Sequence, residues 1–343
     1  MSDRAGAIAG FLAANDWAGA APVPLAGDAS FRRYYRLADG ARRAVLMDAP
    51  PPEQEKLPAY ITVADILRDL GLSAPEIYAA DHDAGLLLIE DFGDDTFTRA
   101  LAAGADESAL YALAIDTLVA LQHTVASAGL PNLPRYDEAR LLTEAGLLAD
   151  WYAPAALGRK LPDAVRTEYL ALWRDVLSLA KPDKPTLVLR DYHVDNLMRL
   201  PGRAGVKSCG ILDIQDAVIG SPAYDLVSLL EDARRDVPPA LRTAMTERYL
   251  AAFPQIDRAP FRRAAAILAA QRNTKIVGLF VRLWQRDGKP AYLAHLPRVW
   301  RLLEGDLAEP ALAPLREWLA RHLPPPLRRL PGAPIGAAAM SAA

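Results

Sequence analysis

"LVLRDYHVDNLM", residues 187–198, runs an apolar segment into Arg190 and Asp191, with Asn196 five places after that Asp. Beyond it, "NLMRL" (196–200) and "VKSCGILDI" (206–214) read as strands flanking a turn at "PGRAG" (201–205). A strand advances about 3.3 Å per residue, so folding at that turn carries Asp213 back alongside residues 193–196. Asp191, Asn196 and Asp213 then face one small volume. No His/Cys cluster accompanies them to suggest zinc. Hard oxygen donors of this kind suit Mg²⁺, which takes few protein ligands and keeps waters and substrate phosphates. The spacing alone is common, and Asp191 as a turn former with Asn196 as a strand-end cap is the plain alternative. Asp213 at the end of an apolar strand, with a β-rich region before it, tips the reading to catalysis. His193, two places from Asp191, is expected to hydrogen-bond within the loop.

Working outward, residues 1–90 read as a β-rich lobe. Short apolar runs broken by Gly, Asp and Pro alternate there with one helix, in which Ile61, Ala64, Leu67 and Leu70 recur at helical spacing before Gly71. A short first helix through Ile8, Phe11 and Leu12 precedes them. Residues 91–95 form a hinge and 96–325 a larger helical lobe carrying the hairpin; 326–343 lack charge and periodicity towards their end and are expected to be a mobile tail. The expected fold is therefore α+β and two-lobed, a small β-rich N-lobe and a larger helical C-lobe, with a ligand cleft between them. The 343 residues are 52% hydrophobic and 24% charged, with a formal net charge of −3. That balance gives no reason to expect a nucleic-acid or acidic-membrane partner. No stretch reads as a run of about 20 apolar residues that would span a membrane. One cysteine, Cys209, excludes an internal disulfide framework and any CxxC metal site, and suits a cytoplasmic protein. Nothing marks an obligate protein partner.

"LRDYHVDNLM…GILDIQDAVIGSPAYDLVSLL" (189–230) resembles the aminoglycoside phosphotransferase branch of the protein-kinase-like fold. More narrowly, "GDASFRRYYRL" (27–37), "LLIEDFGDDTF" (87–97), "LPRYDEARLL" (133–142) and "QRNTKIVGLFVRL" (271–283) are similar to segments of bacterial kinases acting on the anomeric hydroxyl of N-acetylmuramate and N-acetylglucosamine. The resemblance implies ATP as phosphoryl donor, Mg²⁺, Asp191 as catalytic base, and Asn196 and Asp213 as metal ligands. Asp225 would be a structural acid bracing the catalytic loop. Independently, Ser221 and Pro222 read as the N-cap and first position of the next helix, and Asp225 as a first-turn dipole partner. The nucleotide phosphates would meet Gly27, Ala29 and Ser30 with Arg32 or Arg33, and the adenine the backbone at Glu90 and Phe92. Two positions depart from the pattern. Leu189 stands where a scaffold His is usual, and Met47 where a strand lysine normally binds phosphate and pairs with a helix Glu, here Glu53 or Glu55. Arg32 and Arg33 are the nearest cations to replace it.

The implied activity is an ATP-dependent sugar kinase yielding the sugar 1-phosphate in peptidoglycan recycling. Candidate sugar contacts are Glu144, Trp151, Arg190, Asp195, Arg272, Asn273 and Lys275: cations for a lactyl carboxylate, polar groups for hydroxyls or acetamide, an aromatic face for the ring. Each also reads as an ordinary helix charge or core residue. Two alternatives stand beside this activity. One is a kinase of another small alcohol of the aminoglycoside, choline or homoserine type. The other, prompted by Met47, is a catalytically weak nucleotide-binding pseudokinase.

Overall fold

The computed structural model describes residues 2–25 and 32–329, with side chains from Arg4 onward. The expectations for Gly27, Ala29 and Ser30 lie outside the described residues. In chain order, the elements begin with α1 (Ser2–Ala14), β1 (Val23–Pro24), β2 (Arg33–Asp39), β3 (Arg42–Asp48), α2 (Leu57–Asp69), β4 (Ile77–Asp81) and β5 (Leu86–Ile89). Next come α3 (Phe97–Ala102), α4 (Glu107–Ala128), α5 (Glu138–Leu147), α6 (Ala153–Leu157), α7 (Asp163–Ser178), β6 (Thr186–Val188), β7 (Leu197–Arg199), β8 (Cys209–Ile211) and β9 (Val218–Gly220). The last helices are α8 (Ala223–Leu230), α9 (Pro239–Ala252), α10 (Arg258–Asp287), α11 (Leu296–Asp306) and α12 (Ala313–His322). They pack as two compact units. The first holds residues 1–132 and 189–217, the second 133–188 and 218–343.

In the first unit an antiparallel sheet has the strand order β1-β2-β3-β5-β4. Its pleat sorts side chains with period two. On one face Leu37, Ala44, Leu46, Leu86 and Leu88 bury Phe11, Leu12 and Trp17 of α1 and the turn after it, with Ile8 packed alongside. Each such large side chain contributes roughly 1.5–3 kcal/mol by leaving water. Arg4 fastens the same helix to the Asp48 carboxylate and the Ala84 carbonyl. Met47 falls on the opposite face and pairs across the sheet with Tyr34. By alternation the β2 side of that face carries Tyr34 and Arg36, and Arg32 one step before the strand. The 22-residue helix α4 is long and apolar enough to cross a membrane, which the sequence reading did not pick out. Leu110, Ile115, Leu118, Leu121 and Val125 are instead buried in the unit.

The second unit is built around the 30-residue α10, capped at its start by the Asp257 carboxylate on the Ala259 N–H (3.1 Å) and ended by Gly288 in the left-handed conformation. Halfway along, Gly278 passes so close to the π-helical turn Leu148–Tyr152 that a Cβ there would lie 2.2 Å from the Leu147 carbonyl carbon. Only glycine permits that crossing. Antiparallel β6 and β9 form a two-stranded ribbon. α8 begins at Ala223, one residue later than expected, with the Ser221 hydroxyl accepting from the Ala223 N–H at 3.4 Å. Residues 326–329 are held in place, since the Tyr152 hydroxyl contacts the carbonyls of Leu327 (2.7 Å) and Arg329 (2.9 Å).

Candidate active site

The 187–198 stretch runs from β6 through a loop at 189–196 into β7. β7 and β8 pair in the register Leu197↔Ile211, Met198↔Gly210 and Arg199↔Cys209. Gly210 is required there, because a Cβ would lie 2.8 Å from the Phe92 ring. One rung further, the Leu212 N–H donates to the Asn196 carbonyl (2.9 Å), which brings Asp213 beside the loop. The loop is tightened by N–H donation from Asp191 to Leu189 O (2.9 Å) and from Asn196 to His193 O (2.9 Å). Asn196 Nδ2 donates to the Asp191 carbonyl (2.9 Å), so the carboxamide nitrogen is turned onto the loop and Oδ1 is presented as the acceptor. His193 is buried with its Nε2 3.4 Å from that nitrogen, within the loop as expected.

Two backbones here are left-handed without being glycine: Arg190 (φ 71°) and Asp213 (φ 57°). Such conformations cost about 1–3 kcal/mol and persist where surrounding structure imposes them. Arg190 directly precedes the catalytic candidate Asp191, and Asp213 is itself the candidate metal ligand. Arg190 donates to the Asp216 carbonyl (3.5 Å), and Asp216 also lies 3.7 Å from Lys56 Nζ.

Arg32 is the residue on which the Met47 departure turns. Its guanidinium is 5% exposed, donates to Asp213 Oδ1 (2.8 Å) and lies 3.8 Å from Glu53 Oε2. Burial opposes its charge, but Tyr34, Asp213 and Glu53 hold it above its ordinary proton affinity. Arg33, next along, is exposed on β2. Of the two acids considered, Glu53, in the short turn before α2, is the one near this guanidinium, and the cation between it and Asp213 comes from the residue before β2 rather than from β3.

Around the connection after β5, the Glu90 N–H is already given to Glu76 O (2.9 Å) and its carboxylate to Arg203. Arg203 also lies over the Phe92 ring, 5.1 Å from its centroid. Arg36 clamps Asp91 with two hydrogen bonds (2.7 and 3.0 Å) and reaches Asp94 (2.7 Å).

The remaining predicted residues divide between the units. Asp195, in the first, accepts from the Thr98 hydroxyl. In the second, Glu144 accepts from the Tyr136 hydroxyl and pairs with Lys275 Nζ at 3.4 Å. Trp151 lies half-buried on the π-helical turn. Arg272 donates to the Glu231 carbonyl (3.1 Å), and Asn273 Nδ2 bridges Glu231 (2.8 Å) and Asp306 (2.9 Å). Asp225 is 1% exposed in the first turn of α8. Sequence reasoning singled out neither Gln215 nor Asp216; an amide and an acid two and three places beyond a candidate ligand carry no signal until burial and partners are seen.

The arrangement is an oxygen-donor site with a guanidinium beside it, suited to phosphate chemistry. The model of the phosphotransferase enzyme family matches residues 22–266. An N-acetylmuramate/N-acetylglucosamine kinase of Caulobacter vibrioides is 37% identical over 364 aligned residues, covering 96% of this chain and 99% of that protein. A kinase of the same name from Pseudomonas aeruginosa is 40% identical, covering 87% of each. Among solved structures, a choline kinase from Streptococcus pneumoniae has TM-score 0.63 at 14% identity, covering 88% of this chain and 98% of that one. The GDP complex of aminoglycoside 2'-phosphotransferase-IIIa has TM-score 0.59 at 19% identity, covering 89% and 98%.

Proposed function

This chain belongs to the phosphotransferase enzyme family, and from that premise we propose that it transfers the γ-phosphate of ATP to the anomeric hydroxyl of N-acetylmuramate or N-acetylglucosamine. The observation that carries the reading is the gathering of Asp191, Asn196, Asp213 and Arg32 in one compact unit. The substrate class rests on the kinases of that name at 34–40% identity.

Phosphoryl transfer leaves a protein little covalent work; positioning and charge stabilisation carry it. In this reading Asp191 orients the anomeric hydroxyl and takes its proton as the oxygen bonds to the γ-phosphorus. The bond from that phosphorus to the bridging oxygen breaks, and ADP leaves. Arg32 supplies the charge that a strand lysine would bring, and Glu53 and Asp213 keep the guanidinium in place. Asp213 and Asn196 fit Mg²⁺, offering one carboxylate and one carboxamide oxygen. The described residues contain no cluster of three or more His, Cys, Asp or Glu that would cage a metal unaided. Such an ion would complete its shell with phosphate oxygens and water, and when bound it neutralises charge developing on the phosphates. An ATP donor suits a cytoplasmic enzyme.

An ADP-release assay over a panel of acceptors tests the assignment. The expected result is turnover with N-acetylmuramate and N-acetylglucosamine and none with choline or kanamycin. Turnover confined to choline or kanamycin contradicts the substrate class while leaving a kinase.

A further inference from the structure

Asp213 is gripped on one oxygen from two sides. Its Oδ1 accepts from Arg32 Nη2 at 2.8 Å and from Gln215 Nε2 at 3.0 Å. Gln215 Oε1 in turn accepts from Arg32 Nη1 at 2.8 Å, which closes a ring of three side chains. The orientation of the carboxamide is dictated: arginine can only donate, so the amide oxygen faces it and the NH₂ faces the acids. That NH₂ also stands 3.3 Å from Asp216 Oδ2. Gln215 is 6% exposed and Arg32 5%, so water does not compete freely for these bonds. The left-handed backbone of Asp213 aims the carboxylate, and the ring fixes its rotation.

We infer that Gln215 is a positioning residue for phosphoryl transfer, holding Asp213 so that a metal ion meets it through a single oxygen rather than as a chelating pair. Mg²⁺ favours that mode, because its octahedral shell tolerates little distortion and holds few protein oxygens. A glutamate at 215 would keep the acceptor for Arg32 but lose the donor to Asp213 and add a second negative charge. A methionine would keep the volume and lose both bonds. The inference rests on the reading of Asp213 as a metal ligand.

Calorimetric titration of ATP into the full chain, once with EDTA and once with Mn²⁺, separates the two. The quantity read is the factor by which Mn²⁺ tightens ATP binding. In Gln215→Met that factor is expected to fall roughly tenfold to a hundredfold, through the loss of the hydrogen bond to the Asp213 carboxylate. Asp213→Asn is expected to abolish the tightening. If Asp213→Asn abolishes it and Gln215→Met leaves it at the wild-type value, the role of Gln215 is overturned and the metal reading stands. If Asp213→Asn itself keeps the full tightening, the metal reading fails, and this inference with it. Should melting show that Gln215→Met does not fold, Gln215→Glu at mildly alkaline pH is read by the same criteria.

Discussion

At the scale of single residues, the exchange of Met47 and Arg32 has the largest consequence. A kinase-like site lacking its strand lysine at Met47 would read as weakened, yet a buried guanidinium stands between Glu53 and Asp213. Arg32 reaches there because β2 and β3 are paired neighbours and period-two alternation puts the head of β2 on the face of Met47. Arginine differs from lysine in offering a rigid fork of donors, and this one uses separate nitrogens for Asp213 and Gln215. Arg32→Met is expected to lower kcat/KM for ATP by roughly a hundredfold to a thousandfold, the usual effect of deleting one transition-state donor. Arg33→Ala, at an exposed position, should leave it nearly unchanged. Steady-state kinetics of both variants decide the matter; the reverse ranking would show that the wrong arginine has been assigned.

At the scale of elements, α8, α10 and α11 meet at two buried acids. Glu231, just past α8, and Asp306, the last residue of α11, are both bridged by Asn273 from the middle of α10. Burial and then the charge of Glu231 push the Asp306 carboxyl well above its usual range, and burial raises Glu231 too, against the nearby charges of Arg242 and Arg272. Groups whose folded pKa is raised bind protons more tightly in the folded chain. Their stabilisation is complete below the unfolded value, about 4, and is lost as pH rises through the folded one. Asp306→Asn removes one of the two charges. The expected result is that its melting temperature gains on the wild type as pH climbs from about 4.5 towards 8. A difference between the two proteins that does not vary with pH would show that the pair shares no proton. Comparison with one substitution cancels opposite trends from Asp94 and Asp236, whose carboxyls arginines hold below the usual range.

At the scale of the whole molecule, what could be read in the chain was set by locality. The hairpin was legible because its turn, its apolar strands and the Asp-x4-Asn spacing lie within about thirty residues, and antiparallel pairing then fixes which side chains meet. The first helix was legible from Ile8, Phe11 and Leu12, the residues that bury on the sheet. Arg32 as the particular cation was not, since choosing it over Arg33 depends on which face of a strand is buried. Nor was Gln215, whose partner lies 183 residues away in sequence. Asn273 was read as a candidate sugar ligand; that its amide spans Glu231 and Asp306 is a contact between helices that periodicity does not reveal. The two units are each discontinuous in sequence, so a division by chain position also misses how the hairpin groups with the N-terminal sheet. For the molecule as a whole, the proposed chemistry is that Asp191 directs phosphate from ATP onto the anomeric oxygen of an N-acetylated amino sugar. Phosphorus NMR of the full chain with Mg-ATP and N-acetylmuramate, or N-acetylglucosamine in a parallel sample, tests it most directly. A sugar 1-phosphate resonance that appears with the wild type and is absent with Asp191→Asn is the predicted result; the same resonance at undiminished rate in the variant, or none with either sugar, contradicts it.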